Sequence, residues 1–209
     1  MSAIAGFQYV ALVAAFVTSA ALYSRIPDAY CGPNCTMVLA RPLIAFALPA
    51  AMAFVVGVLG LLWKRDPIRD RDVHTESTYH AIIATVVFLI LGIHSFVLLA
   101  LTTDLHRDVV QIGARAVPVL FGLTLVVIGN LLPRLRPNLV IGIRTARTLA
   151  DRSVWARTNR TAGYAAVFAG VSFVLGGLLP NLPVMEFATL AAAGVTAMLG
   201  WSAWRSRHA

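Results

Sequence analysis

The stretch GNLLPRLRPNLVIGIRTARTLADRSVWARTNRTAG runs from Gly129 to Gly163. It joins two long apolar segments and carries seven arginines: Arg134, Arg136, Arg144, Arg147, Arg152, Arg157 and Arg160. The flanks of this loop decide the fold class. Upstream, residues 116–133 contain no Asp, Glu, Lys or Arg; downstream, neither do residues 161–185. Four more such windows cover 3–24, 42–63, 81–103 and 187–204. A bilayer core about 30 Å thick is crossed by roughly 20 apolar residues in a helix. Helices are required because lipid cannot satisfy an open backbone. The reading is an all-α integral membrane bundle of about six transmembrane helices, one polytopic domain over 1–209 with no soluble domain.

Composition agrees. The chain is 59% hydrophobic and 12% charged, against about 45–50% and about 25% in soluble domains. Thirteen of the 17 Lys and Arg fall in the 64–80 and 134–160 loops and the C-terminal tail, and four fall in the alternate loops. The positive-inside rule places the thirteen in the cytoplasm, and with them both termini. The net charge of +8 follows from this bias and from anionic headgroups; it does not indicate direct nucleic-acid binding. The first window has no basic n-region and is longer than a signal-peptide core, so it reads as a span.

Between the first two spans lies Cys31-Gly-Pro-Asn-Cys35, on the outer side in this topology. A disulfide and two free thiols both remain open. Two cysteines without a nearby His supply too few ligands for a metal. His94 lies near the middle of the third span, where an ionisable side chain is a functional candidate by default. A histidine hydrogen-bonded within the bundle is the plainer reading. His80 stands fourteen residues earlier, as in haem-bearing helices, but no second helix offers matching histidines. No cofactor and no metal are expected. Small residues along the first, fifth and sixth spans, Ala191–Ala193, Gly194 and Ala197 among them, allow close helix packing.

Within the arginine-rich loop, Asn130 sits late in the fourth span and is expected to hydrogen-bond across helices or to a loop. Pro133 marks the exit, with Arg134 and Arg136 at headgroup depth. Pro137 biases Arg136 to extended backbone. Asn138 suits a turn, and Gly142 can take a positive φ. Val140, Ile141 and Ile143 are apolar enough to fold back onto the bundle; Arg144 and Thr145 follow. Thr148 with Asp151 approximates a capping box, predicting a short helix over about 149–160. Trp155 reads as an interfacial anchor, and Arg152, Arg157 and Arg160 as groups that reach phosphates or an acidic partner.

This order of residues resembles the SdpI family of bacterial membrane proteins. The resemblance rests on Gly129-Asn130, Pro133-Arg134, Arg136-Pro137-Asn138, Gly142-Ile143-Arg144-Thr145, Trp155, and Arg160 with Gly163. It extends more loosely upstream to about residue 40, through Pro42, Pro49, Asp66-Pro67 and His94. Residues 1–40 match poorly and lack the family's Pro-x-His segment. Ala146-Arg147 stands where Pro-Trp is frequent, and Asn159 where His is frequent. The resemblance implies a six-span immunity protein of the bacterial cell membrane. Such a protein protects against a secreted peptide toxin and sequesters a cytoplasmic transcriptional repressor, without catalytic residues. The alternative is a small proton-coupled transporter using His94 and Asn130 as a midplane polar pair.

Overall fold

The computed structural model describes residues 3–31, 38–68, 73–103 and 106–179, together with 192, 194 and 196. Helices α1 (Ala3–Leu22), α2 (Arg41–Arg65), α3 (Val73–Thr102), α4 (His106–Leu131), α5 (Ala146–Ala150) and α6 (Arg152–Leu178) dominate. Five of them, all but α5, are long and apolar enough to cross a membrane. The chain is an all-α, multi-pass membrane protein. The sixth expected span, 187–204, lies outside the described residues except for three helical positions, Ala192, Gly194 and Thr196.

The helices overrun the charge-free windows. α3 begins at Val73 rather than near 81, and α4 at His106 rather than near 116. Much of the expected 64–80 loop, including His74 and Glu76, is therefore helical, as is the segment holding Arg107 and Arg115. A window without charges measures the apolar thickness to be crossed, whereas a helix continues into water for as long as its backbone bonds are made.

A short antiparallel pair, β1 (Ala29–Cys31) and β2 (Val38–Ala40), joins α1 to α2, with Tyr30 opposite Leu39 and Cys31 opposite Val38. This hairpin was not anticipated. It is fixed at its base by Arg41, whose guanidinium meets Asp28 at 2.5 Å and whose backbone N–H donates to the Asp28 carbonyl at 2.9 Å. Ile26 is buried beneath it against Ile44, Ala45 and Leu98. The pairing of Cys31 with Cys35 lies outside the described side chains.

The main core joins α1, α2 and α3 through Ala11, Ala15, Met52, Val56, Trp63, Tyr79, Ile83 and Val87. α1 and α3 run parallel, because Gln8 meets His80 near one end and Ser19 meets His94 further along. α4 and α6 run antiparallel along a seam of glycines. Gly129 lies opposite Gly163 and Gly122 opposite Gly170, so a Cβ on Gly129 would stand 2.6 Å from the Gly163 carbonyl oxygen. Only a residue without a side chain allows backbones this close. The glycines on each helix recur every seven residues, the period that keeps one stripe of a helix against its partner. The sequence reading placed close packing in the first, fifth and sixth spans. On the fifth span this close packing is met by the fourth, through glycines seven residues apart on both helices; the small residues of the sixth lie largely outside the described residues.

Candidate functional site: the arginine-loop platform

Residues 132–151 fold into a compact platform across one end of the bundle, where the ends of α2 and α4 meet the starts of α3 and α6. A single 3-10 turn, Leu132–Arg134, ends α4, and Pro133 in it rests against Gly163. The chain then turns on Asn138, which is fully buried. Its Oδ1 accepts from the N–H groups of Val140 and Ile141 at 2.9 and 2.8 Å, and its Nδ2 donates to the Arg136 carbonyl. This is the local turn chemistry expected of Asn. Val140 and Ile141 pack on the main core, as their apolar character predicts.

Gly142 has φ +118°, a conformation that L side chains rarely adopt. A Cβ there would also meet Asn159 Oδ1 at 2.6 Å and the Trp155 ring at 2.9 Å. Both neighbours are buried. Asn159 Oδ1 accepts the Ile143 N–H at 2.9 Å, and its Nδ2 donates to the Trp155 carbonyl at 3.1 Å. Trp155 Nε1 donates to the Leu135 carbonyl at 2.7 Å. Trp155 is therefore an internal pin, not the interfacial anchor expected. Its indole N–H has a buried carbonyl to satisfy, and its ring fills the space under Gly142.

The capping expectation is corrected as well. The capping box joins Thr145 and Thr148, with the Thr145 side chain accepting from Thr148 N and the Thr148 side chain from Thr145 N. It opens the short α5. Asp151 caps α6, accepting from Ser153 N and Val154 N. There is no separate helix over 149–160; residues 152–160 form the first turns of the fifth span. The sequence reading paired Thr148 with Asp151, whereas Thr148 is the third residue of α5 and partners the Thr145 cap, and Asp151 caps α6. Hydrogen bonds from the Ser153 side chain, then from the Ser153 and Val154 backbone, hold the Asp151 carboxyl below the usual carboxylate range, with a smaller contribution from Arg157.

The platform is tied to the rest of the bundle by Asp66, just past the end of α2. Asp66 is buried; its Oδ2 accepts from Leu139 N at 2.7 Å and its Oδ1 from Ile68 N at 3.0 Å. Close by, the rings of Trp63 and Tyr79 stack at 4.0 Å and the Tyr79 hydroxyl donates to the Leu59 carbonyl at 2.6 Å. The Arg144 Nη1 donates to the Leu139 carbonyl, folding that arginine over the same turn. Pro137 is half-buried, whereas Arg134, Arg136, Arg147, Arg152, Arg157 and Arg160 are exposed around the platform.

Asn130 does not bridge helices. It is exposed and donates to the Val126 carbonyl of its own helix at 2.8 Å. A helical amide can satisfy itself one turn back. His94 is buried, and its Nε2 lies 2.8 Å from Ser19 Oγ. The Ser19 hydroxyl proton goes to the Ala45 carbonyl at 2.6 Å, so Nε2 carries the proton of the His94–Ser19 bond. Nδ1 has no hydrogen-bond partner among the described residues. The node ties α1, α2 and α3 at one level. His94 and Asn130 are not brought together. Gly92 faces Leu120 and Gly113 faces Phe96, which leaves Asn130 about 20 Å further along α4 at 1.5 Å per residue.

Sequence reasoning missed Asp66 as a ligand of the loop, Thr145 as the cap that pairs with Thr148, and Asn159 as a hub. The signal for Asn159 was present as a departure, an amide where an imidazole is frequent. Both groups can accept at one atom and donate at another. Among the described residues no cluster of His, Cys, Asp and Glu has the makings of a metal site.

Residues 134–203 match the family described as SdpI/YfhL. The chain is also similar to the immunity protein SdpI of Bacillus subtilis (strain 168), 24% identical over 159 residues that cover 74% of this chain and 72% of that protein. No solved structure matches. The resemblance read from the sequence thus rests on two findings: an SdpI/YfhL family match that begins within the platform, and similarity to an immunity protein over most of the chain.

Proposed function

We propose that this chain is an immunity protein of a bacterial cytoplasmic membrane that protects its host from a secreted antimicrobial peptide. The basic end, with the platform and both termini, faces the cytoplasm, and the β1–β2 hairpin faces outward. The hairpin end intercepts the peptide. The platform presents a fixed array of arginines to anionic lipid and to a soluble regulator, a transcriptional repressor in the fullest form of the reading. The role involves no chemical turnover.

One observation carries the reading. The residues of the family resemblance, Asn138, Gly142, Thr145 and Trp155, belong to a single hydrogen-bonded unit rather than being scattered along a lipid-facing loop. A loop that only anchors to lipid needs charge and an aromatic residue. It has no need of a buried Asn, a positive-φ Gly and an aspartate latch.

The test is survival of a sensitive bacterial strain expressing the chain and challenged with a panel of membrane-active secreted peptides. Wild type is expected to protect, and Arg144→Ala or Gly142→Val to protect poorly at equal membrane abundance. Full protection by both variants would reduce the platform to a lipid anchor. No protection by wild type against any peptide would refute the immunity role.

A further inference from the structure

We propose that the exposed face of the α4–α6 pair binds one anionic phospholipid at its basic end, with Arg134, Arg157 and Arg160 around the phosphate. This gives the lipid-facing arginines of the proposed reading a single occupant and does not depend on protection from a peptide. The glycine seam sets the level of these arginines. With Gly129 opposite Gly163 and Gly122 opposite Gly170, the antiparallel register places Arg134 level with Thr158, between Arg157 and Arg160. Pro133 also rests on Gly163, which keeps the turn carrying Arg134 against the start of α6.

The faces agree as well as the levels. On α4 and the turn that follows, Leu123, Val127, Asn130 and Arg134 are exposed at three- and four-residue intervals. On α6 the same holds for Arg157, Arg160, Tyr164 and Phe168. Each stripe begins about a quarter turn from its own seam glycines at 100° per residue, in the same rotational sense. Antiparallel packing reverses that sense in space, so the two stripes lie side by side on one surface. Glycine-to-glycine contact draws the backbones together, bringing arginines from two helices into reach of one small anion.

Along this surface the chemistry changes in the order of a phospholipid. Three guanidiniums come first, then Asn130 and Tyr164, then Val127 and Leu123. Gly194 of the following segment lies against the Phe168 ring, which takes Phe168 out of the strip and leaves Tyr164, Val127 and Leu123 exposed for an acyl chain. None of the three arginines is within salt-bridge distance of a carboxylate among the described residues, although the charge of Arg157 reaches Asp151 weakly. Guanidinium is the side chain best suited to phosphate, and tyrosine favours the interface. A soluble phosphate would use the arginines but not the apolar continuation, which is why the occupant is a lipid. Three cations make it an anionic one.

The test uses the full-length protein in nanodiscs of phosphatidylcholine with phosphatidylglycerol, followed by detergent extraction and native mass spectrometry. Wild type should retain one phosphatidylglycerol. The triple variant R134Q/R157Q/R160Q should bind it roughly hundredfold more weakly, and Arg115→Gln, an exposed arginine towards the other end of α4, should bind it as wild type does. If the triple variant fails to fold, Arg160→Gln alone should still weaken retention. Equal retention by wild type and a folded variant would overturn the proposal, as would equal loss with Arg115→Gln. Displacement by water-soluble glycerophosphate as effective as by the diacyl lipid would also overturn it, by reducing the site to an anion cluster. So would an acidic protein that binds through these arginines while no lipid is retained.

Discussion

The carboxylate of Asp66 accepts the backbone N–H of Leu139 at 2.7 Å, across 73 residues of sequence. Through this bond the end of α2 holds the turn centred on Asn138. Because Asp66 Oδ1 also accepts Ile68 N–H, removing the carboxylate strands two N–H groups at once. Asp66→Ala is expected to cost about 1.5–3 kcal/mol, the range for hydrogen bonds to charged groups. Thermal unfolding in neutral detergent would measure the loss, and amide exchange at residues 138–143 would locate it. Unchanged exchange in that turn would show that the latch does not hold it.

At Gly142, two penalties coincide. A side chain would be strained at φ +118° and would also collide with Asn159 and Trp155. Gly142→Ala is expected to destabilise the platform by about 1–3 kcal/mol, the scale of a residue held in a sparsely populated backbone region. Gly142→Val should cost more. Quenching of Trp155 fluorescence by a water-soluble agent would report whether the ring has been expelled.

Asn159 offers a finer test. Asn159→Leu removes both the acceptor for Ile143 N–H and the donor to the Trp155 carbonyl. It should destabilise by about 1–3 kcal/mol through buried groups left unpaired. Asn159→His, with one nitrogen accepting and the other donating, should retain most protection near neutral pH. It should lose protection as pH falls through the ordinary histidine range, because a protonated imidazole cannot accept. A histidine variant as defective as leucine at neutral pH would mean that shape, not hydrogen bonding, is what the site requires.

Asp151 sets a pH dependence of known sign. Its carboxyl titrates below the ordinary value of 3.8 in the folded chain because Ser153 and Val154 hydrogen-bond to it. Its stabilisation is therefore fully present above the unfolded value and is lost as pH falls through the lower folded one. Amide exchange at Ser153 and Val154 should be faster in Asp151→Ala than in wild type at neutral pH. The difference should vanish in acid below the folded value. A difference independent of pH would mean that the carboxylate is not the cap.

Ser19→Ala removes the hydroxyl shared by His94 Nε2 and the Ala45 carbonyl. The expected cost is about 1–3 kcal/mol for the groups left unsatisfied, read as a lower unfolding temperature. In liposomes, His94→Ala should leave proton flux at the wild-type level. Flux that depends on His94 would revive the transporter reading.

The sequence by itself determined the helical membrane class, most of the spans and the local geometry of single turns. These properties follow from short-range physics. Lipid demands closed backbone hydrogen bonds along every charge-free window, Asn138 satisfies its own neighbours, and Gly142 alone tolerates its φ. Only the tertiary structure decided which distant groups meet. Asp66 with Leu139, Trp155 with Leu135, Asn159 with Ile143, and His94 with Ser19 are each set by how helices pack: the α1–α3 core brings Ser19 to His94, and the Gly122/Gly170 and Gly129/Gly163 contacts hold α6 against α4. Trp155 shows the difference most clearly. Its composition and position suit a lipid interface, yet a carbonyl 20 residues earlier in the chain, brought within 2.7 Å by the α4–α6 seam, draws it inside.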